Sequence, residues 1–117
     1  MSFPKLRLVA LCALPFLLAG PAQASDTFNA KVTQISPDKD GKVVVYLDTP
    51  RESRPACSAV NVTYSVDAAT PGGQVMLSAL YTALASDLPV DIKGGSVCTE
   101  YSNTESIGYV SLRRRTP

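Results

Sequence analysis

The chain contains no histidine and no tryptophan, and only 7% of its residues are aromatic. Without an imidazole, Ser-His and Cys-His nucleophilic catalysis are excluded. The commonest nitrogen ligand of zinc is missing too. No charge of one sign dominates, with 11 basic residues against 10 acidic ones. A polyanion finds no basic field here, which argues against a nucleic-acid partner. No apolar run reaches the roughly 20 residues that a membrane-spanning helix needs. The acids form no recognisable catalytic pair. Asp48, Glu52, Asp91 and Glu100 fall where loops and strand edges carry solvated charge. Asp38-Lys39-Asp40-Gly41 resembles part of a calcium loop, but Ser36 and Leu47 stand where that loop needs an aspartate and a glutamate. It reads as a hairpin turn. These absences predict a protein that is not an enzyme and uses no cofactor or metal.

What is present begins with an export signal. Lys5 and Arg7 precede an apolar run from Leu8 to Ala19, and Ala22-Gln23-Ala24 follows. A positive start, a short apolar stretch and a small-x-small triplet make a cleavable signal peptide over residues 1–24. A single domain over residues 25–117 should remain, beginning at Ser25 and located in the periplasm or secreted. Losing Lys5 and Arg7 leaves nine basic residues against ten acids. No segment of this mature chain is long and apolar enough to insert in a membrane.

Cleavage also removes Cys12, so Cys57 and Cys98 remain. Two cysteines in a short exported chain read as a disulfide. They lie 41 residues apart, and a loop of that length implies about 4 kcal/mol of stabilisation by chain-entropy reasoning.

The hydropathy pattern predicts five strands and a helix. Phe28, Ala30 and Val32 alternate with polar neighbours, with Ile35 one step out of phase. The turn Ser36–Gly41 leads into a β-branched strand from Lys42 to Asp48. Ala59 to Val66 alternates most cleanly, with Val60, Val62, Tyr64 and Val66 on one face. Thr70-Pro71 then starts a helix, with Thr70 as N-cap and Pro71 at the first position. Leu77, Leu80, Tyr81, Leu84 and Leu88 recur at helical spacing until Pro89 stops it. Val90–Lys93 and Ile107–Leu112 complete the strands, with Val97-Cys98 continuing the extended chain. The order β-β-β-α-β-β is that of the OB-fold, a five-stranded partly open barrel. A disulfide from the start of the third strand to the fourth would clamp it. The alternative is an open antiparallel sheet crossed by one helix.

Tyr46, Tyr64, Tyr101 and Tyr109 are the candidate ligand-binding aromatics. OB-folds bind oligosaccharides on a sheet face and nearby loops, and an aromatic ring with a wet hydroxyl suits a sugar.

Several segments together carry a resemblance. Cys57 through Val66, Gly73-Gln74-Val75-Met76-Leu77-Ser78-Ala79-Leu80, Leu84-Ala85, Leu88-Pro89-Val90-Asp91-Ile92 and Cys98 are similar to the cell-binding B subunits of subtilase-type AB5 toxins. Those subunits are exported, disulfide-bonded OB-folds, in which the helix between strands three and four runs into a strand that begins much like Leu88-Pro89-Val90-Asp91-Ile92. They are richer in aromatics and cysteine than this chain, and none of their sugar-contacting residues matches a position here. The resemblance implies a binding module with a glycan or protein partner and a ring-forming homo-oligomer. The alternative is a periplasmic accessory protein with one protein partner and no small ligand.

Overall fold

A computed structural model describes residues 25–114. The expected signal peptide over residues 1–24 lies outside the described residues. The elements are β1 (Asp26–Ala30), β2 (Val32–Pro37), β3 (Lys42–Leu47), β4 (Thr63–Asp67), α1 (Pro71–Ser86), β5 (Val90–Gly94) and β6 (Ile107–Leu112). They form two antiparallel three-stranded sheets, β1-β5-β6 and β2-β3-β4. The chain is mainly β with one helix, as the hydropathy pattern predicts.

There are six strands rather than five because the first breaks. Asn29 adopts a left-handed φ of 52°, and its N–H donates to Asp91 Oδ1 at 2.8 Å. The register against β5 shifts at this point, as at a bulge. Thr27 and Ala30 therefore face the core, and Phe28, expected inside, is 59% exposed. One residue later Lys31 leaves the first sheet. Its N–H donates to Asp48 Oδ1 and its carbonyl accepts from Asp48 N. The chain crosses from one sheet to the other at Lys31, without an intervening loop.

β3 shows why the second sheet forms. Val43, Val45 and Leu47 are buried at every second residue, and Lys42, Val44 and Tyr46 face outward, half-covered. Asp38 shapes the turn before it: its Oδ1 accepts the N–H groups of Asp40 and Lys42. Gly41 supplies a φ of 80° there, which a glycine adopts without a Cβ penalty. β4 starts at Thr63, later than the alternation from Ala59 predicts. The carbonyls of Val60 and Asn61 bond Arg51 instead of a neighbouring strand, so Val60 and Val62 stay outside β4. Val97 and Cys98 likewise lie in a connection, and Val97 is exposed.

The helix begins as predicted. Thr70 Oγ1 accepts the N–H of Gly73 at 3.0 Å, and Pro71 occupies the first turn. It ends at Asp87, which adopts φ 53° and bonds back to the Ala83 carbonyl. The buried stripe is Gly73, Leu77, Leu80 and Ala83. Tyr81 and Leu84 are exposed, which rotates the apolar face away from the expected one. That face covers the core between the sheets, where Tyr64, Val66, Val90 and Ile92 are fully buried.

The sheets do not close into a barrel. Among the described residues, β4 meets the approach to β6 through one isolated parallel bridge, Ser65 to Ser106, which lies just before β6. The Ser65 N–H donates to the Glu105 carbonyl at 2.8 Å, but the Ser106 carbonyl turns back to Gly95 N. From Ile107 onward the chain pairs with β5 instead.

The disulfide between Cys57 and Cys98 is present, with Cα atoms 6.1 Å apart. It joins two connections, residues 48–62 and 95–106, rather than two strands. No helix among the described residues is long and apolar enough to cross a membrane.

Candidate functional site

Of the four candidate tyrosines, Tyr46 and Tyr101 are placed by the second sheet and its first turn. Tyr46 lies on the outer face of β3, between Gln34 of β2 and Thr63 of β4. Tyr101 stands in the 95–106 connection, and its hydroxyl donates to Asp38 Oδ2 at 2.6 Å. The connection before β6 thus reaches the turn between β2 and β3.

The electrostatics of this contact are lopsided. The hydrogen bond to Asp38, with desolvation and the negative charge of Asp38 and Asp40, pushes the Tyr101 phenol up to about 12. Asp38 moves the other way. Donation from Tyr101, followed by the N–H groups of Lys42 and Asp40, holds its carboxyl below the usual carboxylate range. At neutral pH Tyr101 is a donor and Asp38 an acceptor.

Tyr109 sits elsewhere, on the outer face of β6 opposite Lys93, and is 54% exposed. Tyr64 offers a ligand nothing. It is fully buried, its hydroxyl donates to the Ser25 carbonyl at 3.0 Å and lies 2.8 Å from Thr27 Oγ1. The Arg51 guanidinium packs over its ring, 4.4 Å from the centroid. Tyr64 anchors the core.

The Tyr101 connection is fixed at three further points. The disulfide holds Cys98. Glu100 is half-buried, not solvated as its sequence context suggests. Its Oε2 accepts from the hydroxyls of Ser65 at 2.8 Å and Ser106 at 2.5 Å. Glu105 is wholly buried, and Oε2 accepts the N–H of Ser96 at 3.0 Å. A Cβ at Gly94 would overlap this carboxylate, so only glycine leaves it room.

Glu105 pairs with the equally buried Arg51, Nε to Oε1, at 3.9 Å. Arg51 directs its remaining donors to the Thr63 carbonyl at 2.6 Å, Ser58 Oγ at 2.5 Å and the Val60 carbonyl at 2.7 Å. Sequence reasoning missed both residues. Arg51 stands in Pro-Arg-Glu-Ser-Arg-Pro and Glu105 in Asn-Thr-Glu-Ser, contexts that read as solvated loop. No local signal separates them from surface charges.

Comparison with known protein families, characterised proteins and solved structures finds no match. No family is therefore assigned, and the likeness to toxin B subunits rests on sequence pattern alone.

The arrangement offers two aromatic rings, an amide at Gln34 and a carboxylate on a face held by a cross-linked connection. That suits recognition of a polyhydroxylated surface. Among the described residues no group of His, Cys, Asp and Glu side chains is gathered as a metal site.

Proposed function

We propose that the chain is an exported, non-enzymatic binding module of the OB type, and that it binds a glycan on the outer face of β3, beside the turn at residues 38–41. If β1 and β2 count as one bent strand, the order becomes β-β-β-α-β-β, and β4 meets the approach to β6 in parallel. In that scheme β3 and β4 are strands two and three. The turn at residues 38–41 joins strands one and two, and residues 95–106 join strands four and five. OB-folds bind oligonucleotides and oligosaccharides on this face and these loops. One observation carries the reading: Tyr101 from the second loop meets Asp38 of the first.

Charge selects the ligand class. Asp38 stays ionised at the site and repels phosphates, whereas sugar hydroxyls can donate to it. The disulfide fits an oxidising compartment such as the periplasm or the extracellular space. A ring of copies, as in toxin B subunits, would multiply a weak site by avidity.

A glycan array probed with the parent protein and single variants tests this. Tyr46→Ala and Tyr101→Ala should each weaken binding at least about tenfold, roughly the loss of one good contact. Tyr109→Ala should leave it unchanged. A parent protein blind to every glycan contradicts the reading.

A second reading, an accessory protein with one protein partner, draws on the other sheet. Phe28 and Tyr109 are exposed on β1 and β6, either side of β5. Capture of one stoichiometric partner, lost on Phe28→Ser, would favour it.

A further inference from the structure

Ser25 is where the sequence places the first residue of the processed chain, and it is wholly buried. Its hydroxyl donates to Glu105 Oε1. Its carbonyl accepts from the Tyr64 hydroxyl at 3.0 Å and from Gly94 N at 2.9 Å. Two carboxylates stand about it. Glu105 has no solvent exposure, and one residue along, Asp26 Oδ1 is a buried acceptor without a donor. The nearby cation, Arg51, bonds Thr63, Ser58 and Val60, and its Nε stands 3.9 Å from Glu105 Oε1 without a hydrogen bond. Lys93 pairs with Asp26 in register, but its side chain is exposed. Among the described residues, Glu105 therefore has one cation beside it and no charged hydrogen-bond donor, and the half-buried Asp26 keeps one acceptor unfilled; a buried carboxylate gains from a charged donor.

We propose that cleavage of the Ala24–Ser25 bond during export supplies that donor: the new α-ammonium of Ser25 is built into the fold as a partner of Glu105 and Asp26. The reaction is hydrolysis by a signal peptidase. One water is consumed and the amide C–N bond breaks. Ala24 keeps the new carboxyl group, whose proton passes to the amine left on Ser25. Before cleavage the same nitrogen is an uncharged amide with a single N–H. After it, the nitrogen carries a positive charge and three donors, and the two carboxylates balance it and Arg51.

The burial of Ser25 also sets the order of events. A peptidase must hold residues on both sides of the bond it cuts. It therefore acts before β1 docks on β5, and processing precedes folding. The inference does not depend on the glycan-binding reading, because Ser25 and Glu105 lie in the interior.

The titratable groups around Ser25 are Glu105, which accepts from its hydroxyl, the adjacent Asp26, Arg51 beside Glu105, and Tyr64, whose hydroxyl donates to its carbonyl. The two carboxylates favour its charged form, so its pKa should rise above the ordinary value. A raised pKa contributes stability that is fully present below the unfolded value and is lost as pH rises through the folded one.

The test starts with N-terminal sequencing of the exported protein, and a first residue other than Ser25 overturns the proposal. NMR titration of the processed protein should give an α-amine pKa above the ordinary value of about 8. Unfolding is then compared between this protein and one that keeps Ala24. At pH 7 the longer chain should have an unfolding constant at least about tenfold larger, one pKa unit's worth. The gap should close as pH rises past the raised value. An amine that titrates normally, or a gap that is absent or flat with pH, overturns the proposal. A flat gap would reflect only the bulk of the added alanine.

Discussion

Tyr101 and Asp38 show how one hydrogen bond can carry the shape of a surface. The bond links residues 63 positions apart, and both ionisations act to preserve it. Asp38, lowered, contributes above the unfolded carboxylate value and loses its contribution as pH falls through the folded one. Tyr101, raised to about 12, contributes below the unfolded phenol value and loses it as pH climbs through about 12. The contact should stand unaltered from about pH 4 to pH 10, the ordinary values of the two groups. Tyr101→Phe removes the donor, so NMR titration should find Asp38 returned toward the ordinary carboxylate value. An Asp38 pKa unchanged by that substitution would show that Tyr101 does not hold it. Arg51 and Glu105 act in the interior. Arg51→Met leaves Glu105 buried without its guanidinium, which should cost about 3–5 kcal/mol, read as a lowered midpoint in denaturant. A loss below about 1 kcal/mol would mean that the pair contributes little.

At the scale of elements, legibility depended on how local the cause was. The start of α1 was legible because Thr70 and Pro71 act within one turn. β3 was legible because Val43, Val45 and Leu47 alternate against one core. β1 was misjudged at Phe28, since the left-handed Asn29 is held by Asp91, 62 residues away. β4 was placed too early because Arg51 draws off the carbonyls of Val60 and Asn61. The helix face differs from the expected stripe at Tyr81 and Leu84, which have no sheet beneath them and stay exposed. These positions should respond unequally. Leu80→Ala, at a site with no exposure, should destabilise by about 2–5 kcal/mol. Val75→Ser, at a site 72% exposed, should fall within about 0.5 kcal/mol. Thermal unfolding of both variants checks the facing of the helix, and equal losses would contradict it.

At the scale of the molecule, two sheets share one core under a single helix, and two long connections are tied together outside them. Composition and cysteine count made the disulfide and the mainly β class legible. The meeting of Tyr101 with Asp38 was not legible, because it depends on how residues 95–106 fold back over the second sheet. Glu100, Glu105 and Cys98 fix that path through contacts with Ser65, Arg51 and Cys57, and none of these pairs is close in sequence. The cross-links give the connection little freedom to lose on binding, which favours affinity. Chemical-shift mapping of the labelled protein during titration with a glycan tests the binding face most directly. The account predicts shifts concentrated at Gln34, Asp38, Tyr46 and Tyr101, with Phe28 and Tyr109 unmoved. Saturable shifts confined to Phe28, Lys93 and Tyr109 would contradict it.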